Sequence, residues 1–260
     1  MTVLDAVPGG VGTATPAVRL AGVSKRFDSG PLVLDDVSLD VAEGEFLCLL
    51  GASGCGKSTL LNLVAGLDEP SSGSVEVAGG RAALMFQEAA LLPWLTAGQN
   101  VELALRLRGI GKAERRARSA ELLELVRLRD AGAKRVHELS GGMRQRVAMA
   151  RALAQEAGVL LMDEPFAALD AITRDVLHEE LVRIRSSQQL TVVFVTHNVR
   201  EAVRLGDRVV LLSSRPGRIA KEYSVGFDQP RRIESPEVAE LSVAITEDLR
   251  AEIRRHGGQS

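Results

Sequence analysis

The apolar run Phe46–Leu50 passes without a break into Gly51-Ala52-Ser53-Gly54-Cys55-Gly56-Lys57-Ser58-Thr59. A helical pattern then follows through Leu60, Leu61 and Val64 to a stop at Gly66. No other feature limits the fold as strongly as this junction. A continuous apolar run of that length suits a strand buried on both faces, as in a parallel sheet covered by helices. The segment fits G-x-x-x-x-G-K-[ST], in the strand-to-helix setting that the pattern needs. Its glycines let successive backbone N–H groups turn inward around phosphate oxygens, and the helix start adds partial positive charge at the same point. Lys57 is placed for the terminal phosphates of a nucleotide, and the Ser58 hydroxyl for Mg2+. The alternative, a plain glycine-rich turn, does not call for this strand and helix around it.

The second feature is Val159-Leu-Leu-Met-Asp163-Glu164-Pro165, an apolar strand ending in two carboxylates. Open α/β sheets bind ligands at the carboxyl ends of their strands. Adjacent residues on an extended segment point to opposite sides, so the two acids can take different tasks. Asp163 is read as serving Mg2+ through water, and Glu164 as the general base that polarises the attacking water.

Other strands are expected at Ser74–Ala78 on an edge, at Ala82–Phe86 in the interior, and at Thr191–Val195 and Arg208–Leu212, with short β-like stretches between Ala17 and Val41. Helices are expected from about Gly142 to Gln155 and from Ala171 to Arg185. Strands alternating with helices argue for a mostly parallel sheet. Residues 98–128 break this texture with helical spacing and dense Arg and Glu, which reads as a helical insertion. The expected organisation is a disordered leader over residues 1–16, an α/β domain over 17–223 with a helical subdomain at about 88–157, and a tail over 224–260. The tail ends in an amphipathic helix, with Leu241, Ile245, Leu249 and Ile253 on one stripe.

Composition excludes several classes. The 260 residues are 45% hydrophobic and 25% charged, enough for a sizeable core. A formal net charge of −2 gives no electrostatic case for nonspecific nucleic-acid binding. No apolar run reaches the ~18 residues of a transmembrane helix, and the N-terminus does not read as a secretory signal. The two cysteines, Cys48 and Cys55, cannot make a disulfide framework and suggest a reduced, intracellular compartment.

The third feature is Leu139-Ser140-Gly141-Gly142-Met143-Arg-Gln145-Arg146, which opens a helix. With it, the chain resembles the ATP-binding subunit of ABC transporters from Ala17 to about Lys221. The resemblance implies a P-loop NTPase core of mostly parallel sheet with flanking helices, an antiparallel β subdomain and an inserted helical subdomain. Gln87 matches the glutamine that joins the catalytic core to the helical subdomain and contributes to the metal shell. Ser140, Gly141 and Gly142 match the signature, Ala168-Leu169-Asp170 the loop that follows the acidic strand, and His197 the histidine that senses the γ-phosphate. Phe27 stands where the family has an aromatic residue stacked on adenine; a core-packing role is the alternative.

Glycines at a helix start let backbone N–H groups and the Ser140 hydroxyl approach a phosphate. In the family this surface serves the partner's nucleotide. The resemblance therefore implies a head-to-tail dimer with ATP and Mg2+ at each interface. It also implies integral membrane permease subunits, a solute-binding protein, and a cytoplasmic position on the inner face of the membrane. Nucleic acid is not expected as a partner. Another transporter of the family, importer or exporter, or a soluble family ATPase, is the competing reading. A GTPase is disfavoured, because no N-K-x-D motif occurs.

Three narrower expectations remain. Cys55, beside Lys57 at a helix N-terminus, is either a tolerated variable residue of the loop or a thiol of depressed pKa that is sensitive to alkylation when nucleotide is absent. Glu88–Thr96, with the single tryptophan Trp94, contacts the membrane partner or else forms the insertion's own core. Gln87–Thr96, Asn100-Val101 and Ser213–Ile219 look like the branch that energises uptake of nitrate, alkanesulfonates and taurine.

Overall fold

The computed structural model describes residues 15–257 apart from Ala168. Residues 1–14 of the expected leader lie outside that range. Two sheets carry the molecule. β1 (Val18–Arg26), β2 (Leu32–Val41) and β4 (Ser72–Val77) form an antiparallel sheet in the order β2–β1–β4. The second sheet has the order β5–β6–β7–β3–β8–β9. Its strands are β3 (Phe46–Leu50), β5 (Ala82–Met85), β6 (Val159–Asp163), β7 (Thr191–Val195), β8 (Arg208–Leu212) and β9 (Ile219–Ser224). All pairings in it are parallel except β8 with β9.

Alternation of side chains sets the two layers of the core. Phe46, Cys48 and Leu50 of β3 face one hydrophobic cluster, together with Leu160, Met162, Phe194 and Val209. Leu47 and Leu49 face the other, which is shared with the antiparallel sheet and with α1 (Lys57–Val64). Burial on both faces explains why these strands read as continuous apolar runs.

The insertion packs as α2 (Ala97–Leu107), α3 (Lys112–Leu125) and α4 (Gly141–Leu153). The helical spacing over 98–128 is interrupted after α2, where Gly109 adopts a φ of 81° that suits glycine. A capping box of Thr96 and Gln99 starts α2. After β6 follow α5 (Ala171–Gln188), α6 (Val199–Leu205) and the tail helix α7 (Pro236–Gly257).

Three expectations change in detail. Phe86 lies beyond β5 and is exposed, because the strand ends at Met85. Strand β9 was not expected; its residues are mostly exposed and lack a buried run, so only its pairing with β8 defines it. The stripe on α7 starts earlier than expected and ends earlier: Val238 and Ile245 are buried and Leu241 and Leu249 pack partly, while Ile253 is exposed. The helix lies against α6, and Asp248 ties it to β9 through Lys221 at 2.7 Å and Tyr223 at 2.5 Å.

Candidate functional site

Parallel pairing brings the carboxyl ends of β6, β7 and β3 side by side. Asp163 pairs with Val195 and Val195 with Leu49, so the loops after all three strands open on one edge. That edge gathers the glycine-rich loop, Asp163 with Glu164, and His197. β5, paired with β6, delivers Gln87 to the same edge, where it is exposed.

The glycine-rich loop is shaped for an anion. Gly54 and Gly56 have φ of 77° and 102°. Gly56 occupies the cap position of α1, so no side chain caps the helix and its first N–H groups are left for a ligand. Lys57 is buried, and its ammonium donates to the carbonyl oxygens of Gly51 at 2.8 Å and Ala52 at 3.0 Å. Ser53 and Ser58 are exposed and Thr59 is half-buried. Among the described residues no cluster of three or more His, Cys, Asp or Glu could hold a metal. The oxygens of Ser58, Gln87 and Asp163 nevertheless fit Mg2+, a hard cation that takes few protein ligands and completes its shell with phosphate and water.

Cys55 departs from the expectation of a depressed thiol. It is 1% exposed, its sulfur lies against Gly51, and burial pushes its thiol up despite the neighbouring Lys57. The loop turns this side chain into the core, so only its backbone can face a phosphate. Burial also raises the Cys48 thiol well above its ordinary value.

Glu164 is held with a φ of 43°, in the left-handed region that a side chain disfavours, while its N–H donates to Val195 O at 3.0 Å. Such backbone strain, worth ~1–3 kcal/mol, persists where the surroundings fix it and concentrates at functional sites. The result is a contact of 3.0 Å between Glu164 Oε2 and His197 Nδ1. Asp170 caps α5 by accepting the Thr173 N–H at 2.9 Å, and this bond holds its carboxyl below the ordinary value. Leu169 is buried beside it, and Ala168 of the same loop lies outside the described residues.

The signature residues open α4. Ser140 caps α4 by accepting the Met143 N–H at 3.2 Å, which leaves its hydroxyl hydrogen for an outside acceptor. Ser140 and Gly141 are exposed. At Gly142 a Cβ would meet Thr173 Cγ2 at 2.6 Å, so the missing side chain also serves packing on α5. Phe27 is 47% exposed, with Lys25 Nζ 4.8 Å from its ring centroid, which rules out the core-packing alternative.

Sequence reasoning missed two contributions. Gln145 and Arg151 of α4 reach the segment after β5 and donate to the carbonyls of Gln87 at 2.8 Å, Ala90 at 2.7 Å and Ala89 at 2.8 Å. The loop after β8 lies on the glycine-rich loop, where a Cβ on Gly217 would stand 2.1 Å from Cys55 O. Gln145 stood inside a quoted motif, but nothing in the sequence announced its partner. Trp94 is 65% exposed and therefore not part of the insertion's core.

No helix among the described residues is long and apolar enough to cross a membrane. The ABC transporter family model matches residues 34–167. The taurine import ATP-binding protein of Mesorhizobium japonicum is 47% identical over 222 residues, covering 82% of this chain and 86% of that protein. An uncharacterized ABC transporter ATP-binding protein of Methanocaldococcus jannaschii is 46% identical and covers 85% of each chain. The bicarbonate transport ATP-binding protein of Synechocystis is 48% identical over 83% of this chain, which spans only 34% of that longer protein. Among solved structures, a dimeric ATP-binding cassette in a post-hydrolysis state with ADP and Pi matches with a TM-score of 0.72 at 34% identity, over 81% of this chain and 100% of that one. A chain with this fold, this glycine-rich loop and these relatives belongs to the ABC transporter family, as one of its ATP-binding subunits.

Proposed function

We propose that two copies of this chain pair head-to-tail around ATP and that hydrolysis energises import of a small sulfonate, with taurine as the first candidate. The membrane permease subunits and the solute-binding protein are separate chains in this reading. The observation that carries it is the 47% identity over 222 residues to a taurine import ATP-binding protein.

The residues divide the work by their chemistry. The first N–H groups of α1 and the Lys57 ammonium bind the phosphates, and the ammonium leaves the Gly51 and Ala52 carbonyls to do so. Ser58, Gln87 and Asp163 would hold Mg2+, which shields phosphate charge when bound. Glu164 takes a proton from water as the water oxygen attacks the γ-phosphorus. The bond between that phosphorus and the β–γ bridging oxygen breaks, releasing ADP and phosphate. His197, in contact with Glu164, reads the γ-phosphate, and the exposed Ser140 and Gly141 serve the nucleotide on the opposite subunit. Phe27 is open for adenine to stack on. The exposed Trp94 fits a surface that meets the permease.

A Lys57→Ala strain grown with taurine or an alkanesulfonate as sole sulfur source, or nitrate as sole nitrogen source, tests the reading. Sulfate and ammonium serve as controls. A defect confined to taurine supports it, and a defect on another source moves the cargo accordingly. Normal growth on all three overturns the branch. The bicarbonate relative supports a second reading, uptake of a small inorganic oxyanion, which a defect limited to low inorganic carbon would favour.

A further inference from the structure

Behind the Glu164–His197 contact runs a buried chain of polar side chains. Thr196 immediately follows β7 and precedes His197. Its hydroxyl accepts the Asn198 N–H at 3.0 Å and donates to Glu201 Oε2. Glu201 Oε1 lies 2.6 Å from Nε2 of His178, a residue of α5. Thr196, Glu201 and His178 are all buried.

The directions of these bonds follow from donor chemistry. Arg204 Nη1 stands 3.5 Å from His178 Nδ1, and a guanidinium only donates. Nδ1 therefore accepts, Nε2 carries the proton, and His178 donates to Glu201. The Glu201 carboxylate accepts from both sides, which obliges the Thr196 hydroxyl to point at it and leaves a lone pair for Asn198. Asp175 pairs with Arg204 at 2.5 Å, and its Oδ1 lies 4.0 Å from His178 Nδ1. The His178 ring also packs against Phe166, with centroids 5.5 Å apart. Phe166 stands two residues beyond Glu164, so the chain starts beside His197 and returns beside Glu164.

A fully satisfied buried network fixes geometry in a way that apolar packing does not. We propose that Thr196, Glu201 and His178 are positioning residues that hold His197 and Glu164 at their working separation. They are buried and act through the backbone beside His197 and through Phe166. The inference rests on the reading that Glu164 and His197 act at the γ-phosphate.

Steady-state ATP hydrolysis by the full chain tests it. Thr196→Val keeps the volume and removes the hydroxyl, and His178→Leu removes both polar ends. Each is expected to lower kcat on the order of 10- to 100-fold, the scale of a misplaced catalytic group, with the KM for ATP within about twofold. Thr196→Ser keeps the hydroxyl, and His178→Gln supplies a donor and an acceptor at matching ends. Both are expected to stay within about threefold of the parent kcat. The double variant Thr196→Val/His178→Leu should be no slower than the slower single variant, since one break already opens the chain. Unchanged kcat in the two disruptive variants overturns the proposal. So do failed rescue by the conservative variants, or losses that multiply. Thr196→Val alone carries the test if His178→Leu does not fold. Glu164→Gln, measured in parallel, tests the underlying reading separately. If it turns over normally while Thr196→Val does not, the assignment to Glu164 fails and the network acts on His197 alone.

Discussion

Lys57 Nζ donates to the Gly51 carbonyl oxygen at 2.8 Å, so the loop holds its own cation. The loop is thereby preformed, and nucleotide binding exchanges one set of acceptors for another. Removing the ammonium removes charge-assisted bonds worth ~1.5–3 kcal/mol, so Lys57→Ala should weaken ATP binding roughly 10- to 150-fold. Titration calorimetry or a fluorescent nucleotide would measure it, and wild-type affinity would contradict the assignment.

Glu164→Gln keeps the shape of the side chain and removes its basicity. ATP binding should survive, turnover should fall by about 10^2- to 10^4-fold, and an ATP-bound dimer should accumulate. Single-turnover hydrolysis together with gel filtration in ATP reads both effects.

Buried thiols do not offer a thiolate. Cys48 and Cys55 should be inert to a disulfide reagent at pH 7–8 in the folded protein and should both react in denaturant. Rapid modification of Cys55 before unfolding would show that the glycine-rich loop opens readily.

The tail helix is held by a carboxylate whose ionised form folding favours. Hydrogen bonds from Lys221 and Tyr223 keep Asp248 below its ordinary value. A depressed carboxylate stabilises the fold at pH values above its unfolded pKa, and the gain is lost as pH falls through the folded value. Asp248→Asn should therefore lower stability at pH 7, by about 1 kcal/mol or less given the exposure of the site. The difference from the parent should close in acid. Paired denaturant titrations at pH 7 and in acid would show it.

Trp94 is exposed and supports little of the fold, so Trp94→Ala should change stability by about 0.5 kcal/mol or less. Capture of the permease subunits in membranes should fall. Full capture would remove this surface from the interface.

The strands that bear the site were legible because burial on both faces writes itself as an apolar run, as at Phe46–Leu50 and Val159–Met162. The glycine-rich loop was legible because its chemistry is local. The inward turn of Cys55 was not, since it depends on the loop's path against Gly51 and Gly217. Strand β9 was hidden because an edge strand with exposed residues carries no hydrophobic pattern. The left-handed Glu164 and the link between His178 and Glu201 belong to tertiary structure: these positions come together only once β6, α5 and α6 have packed.

Gln145 and Arg151 grip the segment after β5 by the carbonyl oxygens of Gln87, Ala89 and Ala90, not by its side chains. Every residue carries a carbonyl, so this grip is blind to sequence. The segment can therefore exchange its side chains while its attachment to α4 stays the same. In the reading proposed above, the surface offered to the permease is thus mounted on a joint that leaves its side chains free to change.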